Sequence, residues 1–129
     1  MDLKTLRALL EVAWCAETAY GDWNPRVPSL NQCYVTALVV QKYFGGKLPS
    51  CKMTDGDTHC WNILPDGVHV DLTEDQFNFF EGKPIKEKNV IRNRKRLLSI
   101  NSTRQRYELL VDRIDYLITL TTKANIPAN

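Results

Sequence analysis

Residues 31–44 constrain the fold more than any other stretch of the chain. Asn31-Gln32-Cys33 leads into Val35, Ala37, Leu38, Val39, Val40, Tyr43 and Phe44, and the run stops at Gly45-Gly46. This pattern predicts a helix over 31–44 that is apolar almost all round. Such a helix belongs inside a domain, with other elements on every side. Pro28-Ser29 supplies the start signal, because serine can cap free backbone N–H groups, and the two glycines supply the stop. Cys33 falls in the first turn, where the positive end of the helix dipole favours a thiolate. A core helix with a cysteine at its head points to cysteine-based chemistry, and it leaves the substrate open.

Other elements must cover that helix. A chain of 129 residues is expected to form one domain, 1–129, that buries roughly two thirds of its unfolded surface. Residues 2–19 place Leu3, Leu6, Leu9, Leu10, Ala13, Trp14 and Ala16 at three- and four-residue steps, which predicts an amphipathic helix. A proline-punctuated loop, 22–28, follows, with Trp14 and Trp23 packed around it. Beyond Gly46, Cys51-Lys52-Met53 is a short strand candidate. His59–Leu64 and Val68–Thr73 flank Pro65-Asp66-Gly67, which is a hairpin signal. Thr73-Glu74-Asp75-Gln76 reads as the cap and first turn of a short helix carrying Phe77 and Phe80. Asn101-Ser102-Thr103 caps a long helix with Tyr107, Leu110, Val111, Ile114, Leu117 and Ile118 on one face, and a frayed tail is expected over 121–129. The expected class is α+β: a central buried helix on a small antiparallel sheet, flanked by N-terminal and C-terminal helices.

The hairpin register decides which side chains meet. If Leu64 opposes Val68, residues whose numbers sum to an even value share a face, and His59 lies opposite or diagonal to Asp71. A strict two-residue turn would break that parity. In the favoured register Cys33, His59 and Asp71 form a candidate triad. Cys33 is the nucleophile, His59 the base that deprotonates it, and Asp71 the carboxylate that orients the imidazole. The Cys33 backbone N–H, with the side chain of Gln32 or Asn31, would stabilise an oxyanion. Asn62 has the opposite parity and is assigned, with Trp61, to the supporting shell. His69 is the second candidate base. Each residue also has a plain structural reading: Cys33 as a small core residue, His59 at a strand end, Asp71 as a cap for the next helix. The order Cys, His, Asp, with the thiol on a buried helix and its partners on a following hairpin, resembles papain-like and transglutaminase-like cysteine enzymes. That resemblance implies a hydrolase or acyltransferase acting on an amide or thioester bond.

Several other classes recede. A zinc site from Cys33, Cys51, His59 and Cys60 lacks the close ligand pairs such sites use, so no metal and no cofactor is expected. Residues 83–96 hold seven basic side chains against Glu87, a net +6 that leaves −4 for the rest of a chain whose total is +2. No nucleic-acid motif and no stacking aromatic accompanies the run, so it reads as a solvated face. Its one functional reading is the contact surface of a non-enzymatic binding or regulatory module. The expected partner of the triad is a small-molecule or peptide substrate, with neither nucleic acid nor membrane involved. No apolar run approaches the roughly 20 residues that cross a bilayer, and no signal-like segment opens the chain. With cysteines at irregular spacings (15, 33, 51 and 60), this predicts reduced thiols in the cytoplasm.

Several spaced blocks also resemble one family. They are Ala13-Trp14-Cys15-Ala16-Glu17-Thr18, Asn31-Gln32-Cys33 with Thr36–Gly46, His59–Gly67, and Val70-Asp71-Leu72-Thr73 with Gln76-Phe77. In this order they resemble the YunG-like family of small bacterial proteins. The resemblance covers roughly 13–77, leaves the basic segment outside, and marks Gln32, Cys33, His59, Trp61, Asn62 and Asp71. It favours His59 over His69 and implies no particular activity.

Overall fold

The computed structural model of the chain describes residues 1–124. Four helices, α1 (Leu3–Ala13), α2 (Cys33–Phe44), α3 (Arg94–Ser99) and α4 (Asn101–Ala124), accompany five strands. The strands are β1 (Leu48–Lys52), β2 (Thr58–Cys60), β3 (Asn62–Ile63), β4 (His69–Val70) and β5 (Val90–Arg92). Single 3-10 turns cover Ala16–Thr18, Glu74–Asn78 and Lys86–Lys88. The class is α+β, with antiparallel sheets in the orders β2-β1-β5 and β3-β4.

The apolar run forms the centre. Val35 to Val40 are all buried, six residues in succession, so α2 is covered on every side. Leu6, Leu10 and Ala13 of α1 meet it, as do Tyr107, Leu110 and Ile114 of α4 and Leu48 and Cys60 of the sheet. Buried hydrogen bonds pin the cover in place. Trp14 Nε1 donates to Thr36 Oγ1 (2.9 Å), and Asn62 Nδ2 donates to the Ala37 carbonyl (2.9 Å). Arg94 donates to the Leu38 carbonyl (2.8 Å) and to the Tyr107 hydroxyl (2.6 Å), tying α2 to α4.

The boundaries differ from expectation where side chains intervene. The first helix ends at Ala13, not near residue 19, because Thr18 Oγ1 accepts from the N–H of Cys15 (3.0 Å) and holds that residue extended. Ser29 does not cap α2. Its Oγ meets no partner, and the residue preceding the helix is Gln32, whose side chain makes no cap bond. The strand expected at 51–53 runs from Leu48 to Lys52. Thr73 precedes a 3-10 turn and makes no side-chain cap. Residues 121–124 of the expected tail continue α4, and 125–129 lie outside the described residues.

The hairpin is shorter than the two runs that flank the turn. Asn62 pairs with Val70 and Ile63 with His69, the register in which even sums share a face. On its other side the 58–63 segment keeps one register with β1: Lys52 with Thr58, Cys51 with His59, Ser50 with Cys60 and, by a bridge, Lys47 with Ile63. This long-range pairing carries His59 past the end of the hairpin proper.

Gly46 makes the bend into β1 possible. Its φ is +87°, and a Cβ there would overlap the Ile63 carbonyl oxygen, whereas Gly67, with the same φ, faces open space. Gly67→Ala is expected to cost about 1 kcal/mol for its left-handed conformation. Gly46→Ala adds the backbone clash and should cost several times more. Urea unfolding of the two variants side by side checks this, and equal losses would refute it.

Candidate active site

Cys33 is the first helical residue of α2, half-buried, and its backbone N–H lies in the turn that has no intrahelical acceptor. The approach to it is bent. Asn31 has φ +58°, a conformation asparagine tolerates better than most residues, and its N–H donates to Gln76 Oε1 (3.2 Å). Gln32 is fully buried. Its Nε2 donates to the Cys15 carbonyl (2.9 Å), and its Oε1 accepts from Thr18 Oγ1 (2.8 Å). That amide braces the turn and does not face solvent. The Asn31 side chain lines the cleft, although its Nδ2 is engaged with the Asp22 carbonyl (2.6 Å).

His59 is buried, and Nε2 of its ring lies 2.7 Å from Asp71 Oδ2. The parity argument accounts for the meeting, since 59, 61, 69 and 71 share a face. Two aromatics hold the imidazole. Trp61 stacks nearly parallel at 5.9 Å (12°), and Phe77 meets it edge-on at 4.6 Å (85°). Asp71 is saturated. Lys86 Nζ donates to the same Oδ2 (2.8 Å), while Oδ1 accepts from the N–H (3.2 Å) and hydroxyl (3.3 Å) of Thr73. The carboxylate therefore orients the histidine and organises the next turn at once.

The electrostatics follow from these contacts. Burial disfavours an imidazolium at His59. The hydrogen bond to Asp71 and the interactions with the Cys33 thiol outweigh it, and the pKa rises from 6.5 to about 9. Burial likewise opposes ionised Asp71, but His59 and then Lys86 hold its carboxyl below the usual range. His59 Nδ1, the nitrogen that Asp71 does not engage, is buried without a hydrogen-bond partner.

Cys33 and His59 line one cleft of about 590 Å³, bordered by residues of the sheet, the 3-10 turn at 74–78, α3 and α4. His69 stands apart. It is exposed, its Nδ1 accepts from Trp61 Nε1 (3.0 Å), and it is not among the cleft residues. Asn62, of opposite parity, turns to α2. Cys51 and Cys60 are buried, and burial pushes both thiols up. Among the described residues, no group of three or more His, Cys, Asp or Glu side chains is placed to hold a metal ion, and no helix is long and apolar enough to cross a membrane. Two contributors were not anticipated. Lys86 was one of seven basic residues without distinguishing context, and Phe77 read as a helix-face residue in a family block with no role assigned to it.

The raised His59 pKa makes stability depend on pH. A group whose folded pKa exceeds its unfolded value contributes fully below the unfolded value and loses the contribution as pH rises through the folded one. The window is therefore from 6.5 to about 9. At about 1.4 kcal/mol per unit the full effect is about 3 kcal/mol. Denaturant unfolding between pH 6 and 9.5 should show this loss, and His59→Gln should flatten it. An equal slope in the variant would refute the assignment.

Comparison with known proteins extends the sequence resemblance. The "YunG protein" family model matches residues 2–119, so the match takes in the basic segment that the sequence blocks had left outside. The Bacillus subtilis (strain 168) protein described as "Uncharacterized protein YunG" is 33% identical over 75 residues, 58% of this chain and 63% of that protein. This chain thus spans less than two thirds of that relative's length. No solved structure matches. With a family model covering nearly all the residues that build the cleft and its supports, the chain belongs to the YunG family.

Proposed function

We propose that the protein is a cysteine-dependent hydrolase or acyltransferase acting on an amide or thioester bond, built like the papain-like and transglutaminase-like enzymes. The observation that carries this reading is the buried His59–Asp71 pair, at 2.7 Å, whose histidine lines the same cleft as the first-turn Cys33. Because Asp71 engages Nε2, proton traffic falls to Nδ1. An imidazolium there stabilises the Cys33 thiolate, which attacks the carbonyl carbon. The oxyanion that forms is met by the Cys33 backbone N–H at the helix head. His59 Nδ1–H then protonates the leaving amine or thiol, and the acyl group remains on Cys33 as a thioester. The neutral imidazole next takes a proton from water or an acceptor amine, which attacks the thioester and releases Cys33. Gln32, which the sequence offered as an oxyanion donor, acts instead through its brace on Thr18 and Cys15. Trp61 and Asn62 act in the same indirect way, one on the histidine and one on the helix. The four thiols are all free, and we place the chemistry in a reducing cytoplasm.

The alternative, a binding module with a basic face, draws less support. Lys86 is committed to Asp71 and Arg94 to α2, while Lys83 donates to the Phe77 and Phe80 carbonyls, so nearly half the run is internal structure.

Cys15 is an internal control, half-buried like Cys33 but with no histidine partner. In native protein at pH 6, iodoacetamide should alkylate Cys33 at least tenfold faster than Cys15, well below the ~8.5 of an ordinary thiol. Peptide mass spectrometry reads each site. His59→Ala should abolish the difference and Asp71→Asn should reduce it. Equal rates in the native protein, or reaction of Cys33 only after unfolding, would sink the nucleophile and leave the binding module.

A further inference from the structure

The cleft has a second wall that the chemistry above does not use. Arg92 of β5, Arg96 of α3 and Arg106 of α4 line it together with Cys33 and His59. None of these three guanidiniums takes part in an ion pair among the described residues. Arg106 is the most constrained. Its guanidinium sits 5.2 Å from the centroid of the Tyr20 ring, one nitrogen donates to Thr103 Oγ1 at 3.4 Å, and Nε is buried without an acceptor. A buried charged donor left unmatched costs on the order of 1–3 kcal/mol, so such groups call for a reason. Arg94 shows the contrast. It lies two residues from Arg96, yet its donors go to Leu38, Gln41 and Tyr107 inside the fold. Of the basic run, Lys83, Lys86 and Arg94 are thus internal clamps, while Arg92 and Arg96 are exposed cations on the border of the cleft. The cleft's carboxylates, Asp55 and Asp57, belong to the β1–β2 turn and do not neutralise the arginines.

We propose that Arg92, Arg96 and Arg106 form an oxyanion-binding subsite, and that the substrate is an acyl compound carrying a carboxylate or phosphate group. The substrate assignment rests on the reading of Cys33 given above, while the anion site itself stands on the arginines. A planar guanidinium presents paired N–H donors that match the two oxygens of a carboxylate or phosphate. A cleft of about 590 Å³ is the size of a small-ligand site, within the usual range of roughly 300–1,000 Å³. The anionic group and the reacting carbonyl therefore belong to one small molecule or one end of a peptide.

Two alkylating reagents that differ in charge test this on the native protein. Each forms an S–C bond from the Cys33 thiolate and expels iodide, but iodoacetate carries a carboxylate where iodoacetamide is neutral. His59 itself attracts the anionic reagent, so the arginine variants carry the test. Arg96→Gln and Arg106→Gln should each lower the iodoacetate rate at least threefold more than the iodoacetamide rate, and Arg106→Lys should recover part of the loss. In parallel, the Nε–Hε resonance of Arg106, assigned by its loss in Arg106→Gln, is followed by nuclear magnetic resonance during titration with glutarate and with inorganic phosphate. Saturable shifts support the subsite, and the better of the two ions identifies the group. If Cys33 proves inert to both reagents while the Arg106 resonance saturates, the cysteine chemistry fails and the anion site stands. If the variants leave the rate ratio unchanged and neither ion shifts Arg106, the subsite is overturned while a reactive Cys33 keeps the cysteine chemistry.

Discussion

The structure depends on the burial of α2. A helix whose residues 35–40 are inaccessible on every side must be enclosed by α1, α4 and the sheet, and only its ends can reach the surface. The C-terminal end is spent on the turn through Gly45 and Gly46. The N-terminal end opens on the cleft, so the demand for a covered core leaves Cys33 at the one place where its thiol and free backbone N–H are accessible. Polar contacts reinforce the enclosure. Trp14, Asn62 and Arg94 come from three separate parts of the chain, and each donates a hydrogen bond to a residue between 36 and 38. Small shifts of the hairpin relative to the helix are resisted by Asn62, and with them shifts of His59 relative to Cys33.

The second constraint is the cost of placing Asp71 and His59 out of water. A buried pair is tolerated when the remaining lone pairs are satisfied. Four donors meet Asp71: His59, Lys86 and two groups of Thr73. Lys86 is about one third exposed and lies over the Trp61 ring at 5.1 Å, so it brings compensating charge without being fully desolvated itself. Trp61 and Phe77 exclude water from the imidazole and fix its plane. The same residues that make the pair affordable also set its orientation.

Much of this was legible in the sequence, for local reasons. The apolar run declares α2, and period-two alternation after an Asp-Gly turn places 59, 61, 69 and 71 on one face with 62 on the other. What escaped depends on partners distant in sequence. The pairing of 58–63 with β1 is non-local, and it is this pairing that extends the His59 strand beyond the hairpin. The early end of α1 follows from the Thr18 hydroxyl captured by Cys15, and no periodicity reports that. Gln32 looks like an oxyanion donor beside Cys33 until Thr18 and Cys15 claim its amide. Within the basic run only the sign of the charge is visible. That Lys86 and Arg94 turn inward while Arg96 lines the cleft depends on which carbonyls and carboxylates the fold brings near.

A buried His–Asp pair is by itself compatible with a purely structural lock. The pattern of satisfaction adds a second observation to it. Folded proteins pair nearly all their buried polar atoms, so the exceptions are informative. Among the described residues the unpartnered buried side-chain atoms are Ser29 Oγ, His59 Nδ1 and Arg106 Nε. Two of the three belong to residues lining a single cleft, and they come from elements with no reason to coincide, a β-strand and the C-terminal helix. His59 binds Asp71 through Nε2, and the interactions that raise its pKa include the Cys33 thiol. An arginine kept only for packing would find an acceptor, as Arg94 does. Both orphaned atoms border the one cleft that also holds the first-turn thiol, and that coincidence is where the proposed chemistry has its structural support.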